Sequence, residues 1–167
     1  MITGNIVGFD VLGDGQTLQG VNPASQELLE GRFSIATQNE IDLALDKAER
    51  AFPIFRKWSP EKRAGFLDLI AKNIIDLGDV LVKRAMQETG LAEARILSER
   101  GRTTGQLNMF AHAIRKGQWA EPSIDHAIPD RQPLPRADIR KRLVPLGPVV
   151  VFTASNFPLA YSTAGGD

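Results

Sequence analysis

The sequence contains no cysteine, and this absence excludes three kinds of chemistry at once. Disulfides, thiolate metal sites and thiol nucleophiles all require a cysteine sulfur. Histidine is almost as scarce, because His112 and His126 are the only two among 167 residues. We therefore expect no histidine-rich metal centre and assign no metal-binding residue. Both histidines are interpreted as surface or helix-face residues rather than catalytic bases.

Net charge and long apolar runs are also missing. The 20 basic and 20 acidic residues cancel, so the basic surface expected of a nucleic-acid binder is not predicted. No stretch approaches the roughly 18 consecutive apolar residues of a membrane span, and the N-terminus lacks a charged-then-apolar signal segment. We therefore expect a cytoplasmic protein that binds neither nucleic acid nor membranes. A chain of 167 residues can still form one domain with a sizeable core.

Short strands and then a helix are predicted for the first third of the chain. Over residues 1–36, the turn sequences Gly13-Asp14-Gly15 and Asn22-Pro23-Ala24-Ser25 interrupt short β-like runs. Thr37 and Glu40 then have the spacing of a capping box, which indicates a helix N-terminus. We expect this helix to end near Pro53. Its apolar face is predicted at Ile41, Leu45, Ala48 and Phe52.

Further helices are predicted up to Gly117. Ser59 and Pro60 suit the N-cap and first position of the next helix, and Gly78 suits its C-terminal end. A helical stretch follows over residues 79–89, and a third main helix is predicted over 92–116. The apolar stripe of the second helix is expected at Phe66, Ile70, Ile74 and Leu77. That of the third is expected at Ile96, Thr104, Leu107, Ala111 and Ile114.

The pattern changes after Trp119. Pro122, Pro129, Pro133 and Pro135 exclude a helix over residues 120–136. Residues 137–144 then have the pattern of an extended strand that is too polar for a core. We expect this strand to form an exposed arm or a sheet edge.

Residues 145–167 are the most informative part of the chain. The apolar run over 149–152 predicts a fully buried strand of a parallel sheet. A polar turn follows at Thr153-Ala154-Ser155-Asn156, and the small residues after Pro158 suit a closely packed helix. The end of a strand before a helix N-terminus is where α/β sheets bind ligands. Asn156 could there donate its amide to a developing oxyanion; alternatively, its side chain simply bonds to the local backbone of a turn.

Arg102 and Gln106 are candidate substrate-binding residues in the third main helix. An arginine beside hydroxyl and amide side chains could hold a substrate carboxylate through two parallel hydrogen bonds. The alternative is a solvated or ion-paired helix arginine, and Gln106 has the same two interpretations.

Three segments of the sequence resemble the aldehyde dehydrogenase family. They are Asn22-Pro23-Ala24-Ser25-Gln26-Glu27, the helical pattern Ile41…Ala44…Ala48…Ala51-Phe52…Trp58, and Gly147-Pro148-Val149-Val150-Val151 with Asn156-Phe157-Pro158-Leu159. The similarity covers essentially all of the chain in order. A narrower resemblance is to the branch of the family that oxidises 2,5-dioxopentanoate, or 2-oxoglutarate semialdehyde. It is carried by residues 99–107, by Ala154-Ser155-Asn156-Phe157-Pro158 and by Ala164-Gly165-Gly166-Asp167.

The resemblance implies an α/β fold that corresponds to the N-terminal part of an aldehyde dehydrogenase. Residues 1–167 would be the N-terminal portion of the NAD(P)-binding domain, with helices, the first strand of a Rossmann-like cofactor domain, and residues 120–144 as an oligomerisation arm. The catalytic domain would be absent. By the same resemblance Asn156 would be the oxyanion donor, and Thr153, Ala154 and Ser155 would lie along the cleft that binds NAD or NADP.

In the family, a cysteine thiolate attacks the aldehyde, hydride passes to NAD(P)+, and a glutamate-activated water releases the acid. Because the sequence contains no thiol, we expect the 167 residues to be inactive alone. Two hypotheses therefore stay open. The chain is the N-terminal part of a homo-oligomeric dehydrogenase of small oxo-acid aldehydes, or it is a non-catalytic module that associates with itself or with a missing segment. A dinucleotide-binding module acting alone is disfavoured, because the chain has no Gly-x-Gly-x-x-Gly sequence.

Overall fold

The computed structural model describes residues 2–13 and 15–163. Strands lie at the start of the chain, helices in the middle, and a further strand pair after the helices. The elements are β1 (Asn5–Val7), β2 (Asp10–Leu12), β3 (Thr17–Val21), β4 (Leu28–Ser34), α1 (Gln38–Phe55), α2 (Pro60–Asp76), α3 (Gly78–Thr89), α4 (Glu93–Lys116), β5 (Ser123–Asp125) and β6 (Ile139–Lys141), with a 3-10 turn at Gln118–Ala120.

The strands form antiparallel pairs, β1 with β2, β3 with β4, and β5 with β6. The turn between β3 and β4 is made by Asn22, whose side-chain oxygen accepts the N–H groups of Ala24 at 2.9 Å and Ser25 at 3.3 Å. An asparagine that bonds to the backbone two residues on is a common turn device. The predicted short strands and the turn at Asn22 are confirmed. The other predicted turn includes Asp14, which lies outside the described residues.

The predicted starts of α1 and α2 and the predicted stop at Gly90 are also confirmed. At the start of α1 the Glu40 N–H donates to the Thr37 hydroxyl oxygen at 3.3 Å, and the Thr37 N–H donates to the Glu40 carboxylate at 2.7 Å. The Thr37 N–H and the Thr37 hydroxyl both donate to this carboxylate and lower the pKa of Glu40. Ser59 caps α2 by accepting the Lys62 N–H at 3.2 Å. Gly90 ends α3 in the left-handed conformation that glycine adopts without steric cost.

The core lies where α4 packs along α2 and where α3 covers one end of α4. On the α2 side the buried residues are Ala64 and Ala71, whose small side chains allow a close approach of the two helices. A second buried cluster joins Val82 and Ala85 of α3 to Ile96 of α4. Leu159 packs against this cluster, so the C-terminal segment rests on the helical core.

The predicted apolar face of α2 coincides only in part with its buried face, since Ile70 and Ile74 are half-buried. Phe66 is 43% exposed and Leu77 is 53% exposed, whereas the alanines face the neighbouring helix. Phe66 lies instead in an aromatic group, with its ring 5.8 Å from that of Phe55 and 6.3 Å from that of Trp58. The prediction failed for Phe66 and Leu77 because helical period marks an apolar side but does not say which side the neighbouring helix covers.

Two expectations about α1 are corrected as well. Ile41 and Leu45, on the predicted apolar face, are exposed. The main contact of α1 in the described chain is with β1, and this contact leaves much of the helix surface uncovered. The helix also continues through Pro53 to Phe55. A proline this close to a helix end removes a single backbone donor, and the Arg56 N–H still bonds to the Phe52 carbonyl at 2.9 Å.

After α4 the chain forms the predicted exposed arm. The strand expected over residues 137–144 is shorter, because only Ile139–Lys141 pairs with Ser123–Asp125. Both strands are exposed along their whole length. Of the range 120–136, for which a helix was excluded, Ala120 ends the 3-10 turn and residues 121–136 contain no helix.

The prediction of a buried strand over residues 149–152 is wrong for this chain. Val149 is 80% exposed and Phe152 is 90% exposed, and no strand pairs with them within residues 2–13 and 15–163. A central strand exists only where neighbours take up its N–H and C=O groups. Residues 155–163 form successive turns rather than the predicted helix. Residues 164–167 lie outside the described residues.

Candidate functional site

Asn156 lies exposed in a turn, where the Phe157 N–H donates to the Ala154 carbonyl at 3.2 Å. Within the described part of the chain, its carboxamide forms no hydrogen bond to the main chain or to another side chain. The simple-turn interpretation requires such a bond to the local backbone. The side-chain amide is therefore available to an external acceptor.

Thr153, Ala154 and Ser155 precede Asn156 in the same segment. Thr153 and Ser155 are exposed and Ala154 is half-buried. Because the four residues are consecutive, the predicted cofactor residues and the predicted oxyanion donor are neighbours along the chain, and their roles remain predictions.

Arg102 and Gln106 lie one turn apart on α4. Arg102 is exposed and Gln106 is half-buried. Because α4 is also the helix on which the Asn156 segment rests, the candidate substrate residues and the candidate oxyanion donor occupy adjoining elements.

Three α4 side chains that the sequence analysis missed hold the segment after Asn156. Glu99 is 3% exposed, and its Oε2 accepts the N–H groups of Leu159 at 3.3 Å and Ala160 at 3.4 Å. Arg95 Nε donates to Oε1 of the same carboxylate at 3.0 Å. The Thr103 hydroxyl lies 3.1 Å from the Leu159 carbonyl oxygen. Arg95, Glu99 and Thr103, which we call the α4 clamp, recur every four residues and so share one face of the helix.

Arg95 extends the α4 clamp to Asn156 itself. A terminal guanidinium nitrogen donates to the Asn156 main-chain carbonyl at 3.4 Å. The guanidinium also lies 4.4 Å from the centroid of the Phe157 ring, which stacks on Tyr161 at 4.3 Å. A cation over an aromatic face is attracted by the ring quadrupole. The clamp therefore reaches the main chain on both sides of Pro158.

A signal for the α4 clamp is visible in the sequence. Glu99 and Thr103 fall on the same side of α4 as Ile96 and Leu107, where helical period predicts burial. A carboxylate at a buried position requires hydrogen-bond donors. The apolar stripe predicted for this helix included Thr104 but left out Glu99 and Thr103. Their partners lie some 60 residues away and could not be named from the sequence.

A cavity and both histidines lie elsewhere in the described chain and share no residue with the candidate site. A cavity of about 700 Å³ lies between the α1–α2 connection and the start and end of the arm, lined by Arg56, Arg63, Trp119 and Arg142 among others. His112 and His126 are both exposed, as predicted. Within residues 2–13 and 15–163, no group of three or more histidine, aspartate or glutamate side chains is arranged to hold a metal ion. None of the helices in the described ranges combines the length and apolarity that crossing a membrane requires.

Comparison with known sequences gives matches over nearly the whole chain. The model of the aldehyde dehydrogenase family matches residues 11–165. Alpha-ketoglutaric semialdehyde dehydrogenase 2 of Azospirillum brasilense is 49% identical over 158 residues, which cover 94% of this chain and 30% of that protein. Alpha-ketoglutaric semialdehyde dehydrogenase of Acinetobacter baylyi is 45% identical, with 97% of this chain and 31% of that protein covered. The chain thus spans slightly less than a third of the length of these relatives.

Solved structures give the same picture of the fold. HpcC from Thermus thermophilus superposes on 97% of this chain and 30% of its own, with a TM-score of 0.80 and 22% identity. Betaine aldehyde dehydrogenase from Staphylococcus aureus, solved with NAD+, covers 77% of this chain and 26% of its own, with a TM-score of 0.68 and 19% identity. At these identities the similarity establishes the fold alone. It confirms the predicted fold class, a mixed arrangement of helices and strands like part of an aldehyde dehydrogenase.

Proposed function

Because the chain belongs to the aldehyde dehydrogenase family, we propose that it is the N-terminal part of an NAD(P)+-dependent enzyme that oxidises 2,5-dioxopentanoate to 2-oxoglutarate. The observation that carries the proposal is the 49% identity over 94% of the chain to a protein named for this semialdehyde. A second relative of the same name is 45% identical. The availability of the Asn156 amide supports the proposal independently of these names.

In the proposed reaction Asn156 acts as the oxyanion donor. Its side-chain N–H donates to the aldehyde oxygen as negative charge develops there, and such a donor stabilises the transition state more than the ground state. The attacking thiolate must come from beyond these 167 residues, since they contain no cysteine. The chain alone is therefore proposed to be inactive.

The cofactor site of the proposed enzyme would include Thr153, Ala154 and Ser155. NAD or NADP, when bound, accepts the hydride released by aldehyde oxidation. The residues present fit such a group, because Thr153 and Ser155 are exposed and the main-chain groups of Thr153 form no hydrogen bond within the described ranges. Main-chain N–H and C=O groups, together with the two hydroxyls, would orient the nicotinamide beside the Asn156 amide.

Arg102 and Gln106 are proposed to recognise the substrate. The semialdehyde carries a carboxylate at the end away from its reacting carbon, and a guanidinium can bind this group through two hydrogen bonds. Both side chains lie on the helix that supports Asn156, which favours a substrate that reaches from α4 to the turn.

Residues 120–144 are proposed to be the oligomerisation arm of a cytoplasmic homo-oligomer. The β5–β6 pair is exposed, and its outer edges carry unpaired backbone groups that could pair with another copy.

The proposal is tested on the full-length gene product. Its intact mass should exceed 18.3 kDa and should include a segment with cysteine. The purified protein should convert 2,5-dioxopentanoate to 2-oxoglutarate and form NADH or NADPH, which absorbance at 340 nm detects. A natural product that ends at Asp167, or a full-length protein without aldehyde oxidation, would contradict the proposal.

A second candidate function is a non-catalytic association module. Its support is the exposed apolar run 149–152, whose backbone pairs with no strand in the described chain. Such a surface favours association with another chain. This candidate predicts concentration-dependent self-association of the 167-residue chain in sedimentation experiments, and a monomer at all concentrations would exclude it.

A further inference from the structure

The segment after Asn156 is bound to α4 by contacts that the proposed mechanism does not use. Glu99 is buried, and a buried carboxylate is costly unless donors surround it. Here both oxygens have donors, from Arg95 on one side and from the main chain of Leu159 and Ala160 on the other. A buried acid bonded to two main-chain N–H groups of a distant segment fixes the position of that segment.

Apolar packing also holds Leu159 and Ala160 in position. Leu159 lies against the buried cluster of α3 and α4, and Ala160 is fully buried. The Thr103 hydroxyl, 3.1 Å from the Leu159 carbonyl, can donate to it. The α4 clamp therefore contacts both the N–H and the C=O of Leu159. Residues 159–160 cannot move along α4 without breaking polar and apolar contacts together.

Asn156 lies only three residues before this fixed point. The link contains Pro158, whose ring restricts the backbone. Arg95 also holds the near end of the link, through its bond to the Asn156 carbonyl and its position over the Phe157 ring. The location of the Asn156 carboxamide thus depends on side chains of α4 that do not touch it.

We propose that Glu99 is a positioning residue for the oxyanion donor. Its carboxylate fixes the main chain at Leu159 and Ala160 and thereby sets where the Asn156 carboxamide meets the aldehyde oxygen. This inference rests on the proposed function. A misplacement of the Asn156 carboxamide by about 1 Å can cost on the order of a hundredfold in rate. Because this group acts on the aldehyde oxygen, loss of Glu99 should lower turnover rather than weaken cofactor binding.

The first test is steady-state kinetics of the full-length enzyme with Glu99→Gln. The amide keeps the shape of the side chain but removes the charge that accepts from three donors. We expect kcat to fall between about tenfold and a hundredfold, with the KM for NAD(P)+ within about twofold of wild type. Glu93→Gln is the matched control, since Glu93 is an exposed glutamate on the same helix, and its kcat should stay unchanged. An unchanged kcat in Glu99→Gln, or a loss confined to the cofactor KM, would overturn the inference.

The second test separates this inference from the proposed function. In an Asn156→Ala background, Glu99→Gln should cause little further loss, because a positioning residue has no effect once the group it positions is removed. A full additional loss would overturn the positioning role while the oxyanion role of Asn156 stands. If Asn156→Ala alone leaves kcat unchanged, the oxyanion role itself fails, and the positioning role with it.

The third test needs no activity. In hydrogen–deuterium exchange of the full-length enzyme, Glu99→Gln should increase uptake in a peptide that contains residues 156–163, relative to wild type and Glu93→Gln. Thr103→Val, which is similar in size and loses only the hydroxyl, should increase uptake in the same peptide by a smaller amount. This second variant decides the question if Glu99→Gln does not fold. Wild-type uptake in the folded variants would show that the α4 clamp does not hold the segment.

Discussion

The start of α1 and the segment after Asn156 are each held by one buried glutamate, and the two differ in how far the carboxylate reaches along the chain. Glu40 accepts the N–H of Thr37, three residues earlier. Glu99 accepts the N–H groups of Leu159 and Ala160, 60 and 61 residues later. The chemistry is the same, since a carboxylate accepts main-chain N–H groups that would otherwise lack partners. The first contact shapes one helix end, whereas the second joins two parts of the fold.

The largest predicted effect concerns the residue that the long-range carboxylate places. In the full-length enzyme, Asn156→Ala should lower kcat about a hundredfold to a thousandfold, the usual cost of losing one oxyanion donor. Steady-state oxidation of 2,5-dioxopentanoate measures this loss. Asn156→Asp should be similarly impaired, because a carboxylate cannot donate to an oxyanion. Turnover near wild type in either variant would remove Asn156 from the mechanism.

The next prediction breaks the long-range contact. Glu99→Ala should lower the free energy of unfolding by about 2 kcal/mol, because it leaves two main-chain N–H groups without their acceptor near the core. Urea denaturation of the 167-residue chain measures this change. The control is Glu93→Ala, on the exposed side of α4. Equal stability of the two variants would mean that the Glu99 contacts contribute nothing measurable.

Breaking the contact between Thr37 and Glu40 should lower the free energy of unfolding by a smaller amount. Thr37→Ala removes the side-chain acceptor of the Glu40 N–H and should lower the free energy of unfolding by about 1 kcal/mol. Thr37→Ser keeps the hydroxyl and should stay closer to wild type. If Thr37→Ala destabilised the chain more than Glu99→Ala, the comparison between the local and the long-range carboxylate would be reversed.

The smallest predicted effect is a pH dependence that originates at the local carboxylate. Hydrogen bonds from Thr37 hold the pKa of Glu40 below its ordinary value of 4.5. The folded state therefore favours the ionised form, so this contribution is fully present above pH 4.5 and is lost as pH falls through the folded-state pKa. Glu40→Gln should show a weaker decline of unfolding free energy with acidification below pH 4.5. An unchanged pH profile in denaturation experiments would contradict this prediction.

Sequence-based prediction succeeded for contacts between near neighbours in the chain and failed for contacts between distant residues. The Thr37–Glu40 capping box, the Ser59 cap and the Asn22 turn were all predicted, and each is formed by groups within three residues of one another. Asn156 was proposed as the oxyanion donor from its position in a turn and from the resemblance to the family. Its supporting contacts were not predicted, because Glu99 gives no sign in the sequence of which backbone groups it will meet.

The same reason explains the errors in the apolar faces. Phe66 and Ile41 have the spacing of core residues, yet Ala64 and Ala71 are the positions that α2 buries. Periodicity describes one helix by itself, whereas burial depends on the neighbour. Residues 149–152 show the extreme case, because their composition is that of a central strand and no strand pairs with them in the described chain.

The sequence by itself determined the caps at which α1 and α2 begin, the turn at Asn22, and that no thiol chemistry can arise within these residues. Those features depend on backbone groups and side chains that are near neighbours along the chain, so their free energies are set locally. Tertiary structure alone decided which helix faces are buried and that a glutamate of α4 holds the segment after Asn156. Such contacts join groups some 60 residues apart, and they form only when the packed core brings those groups within hydrogen-bonding distance.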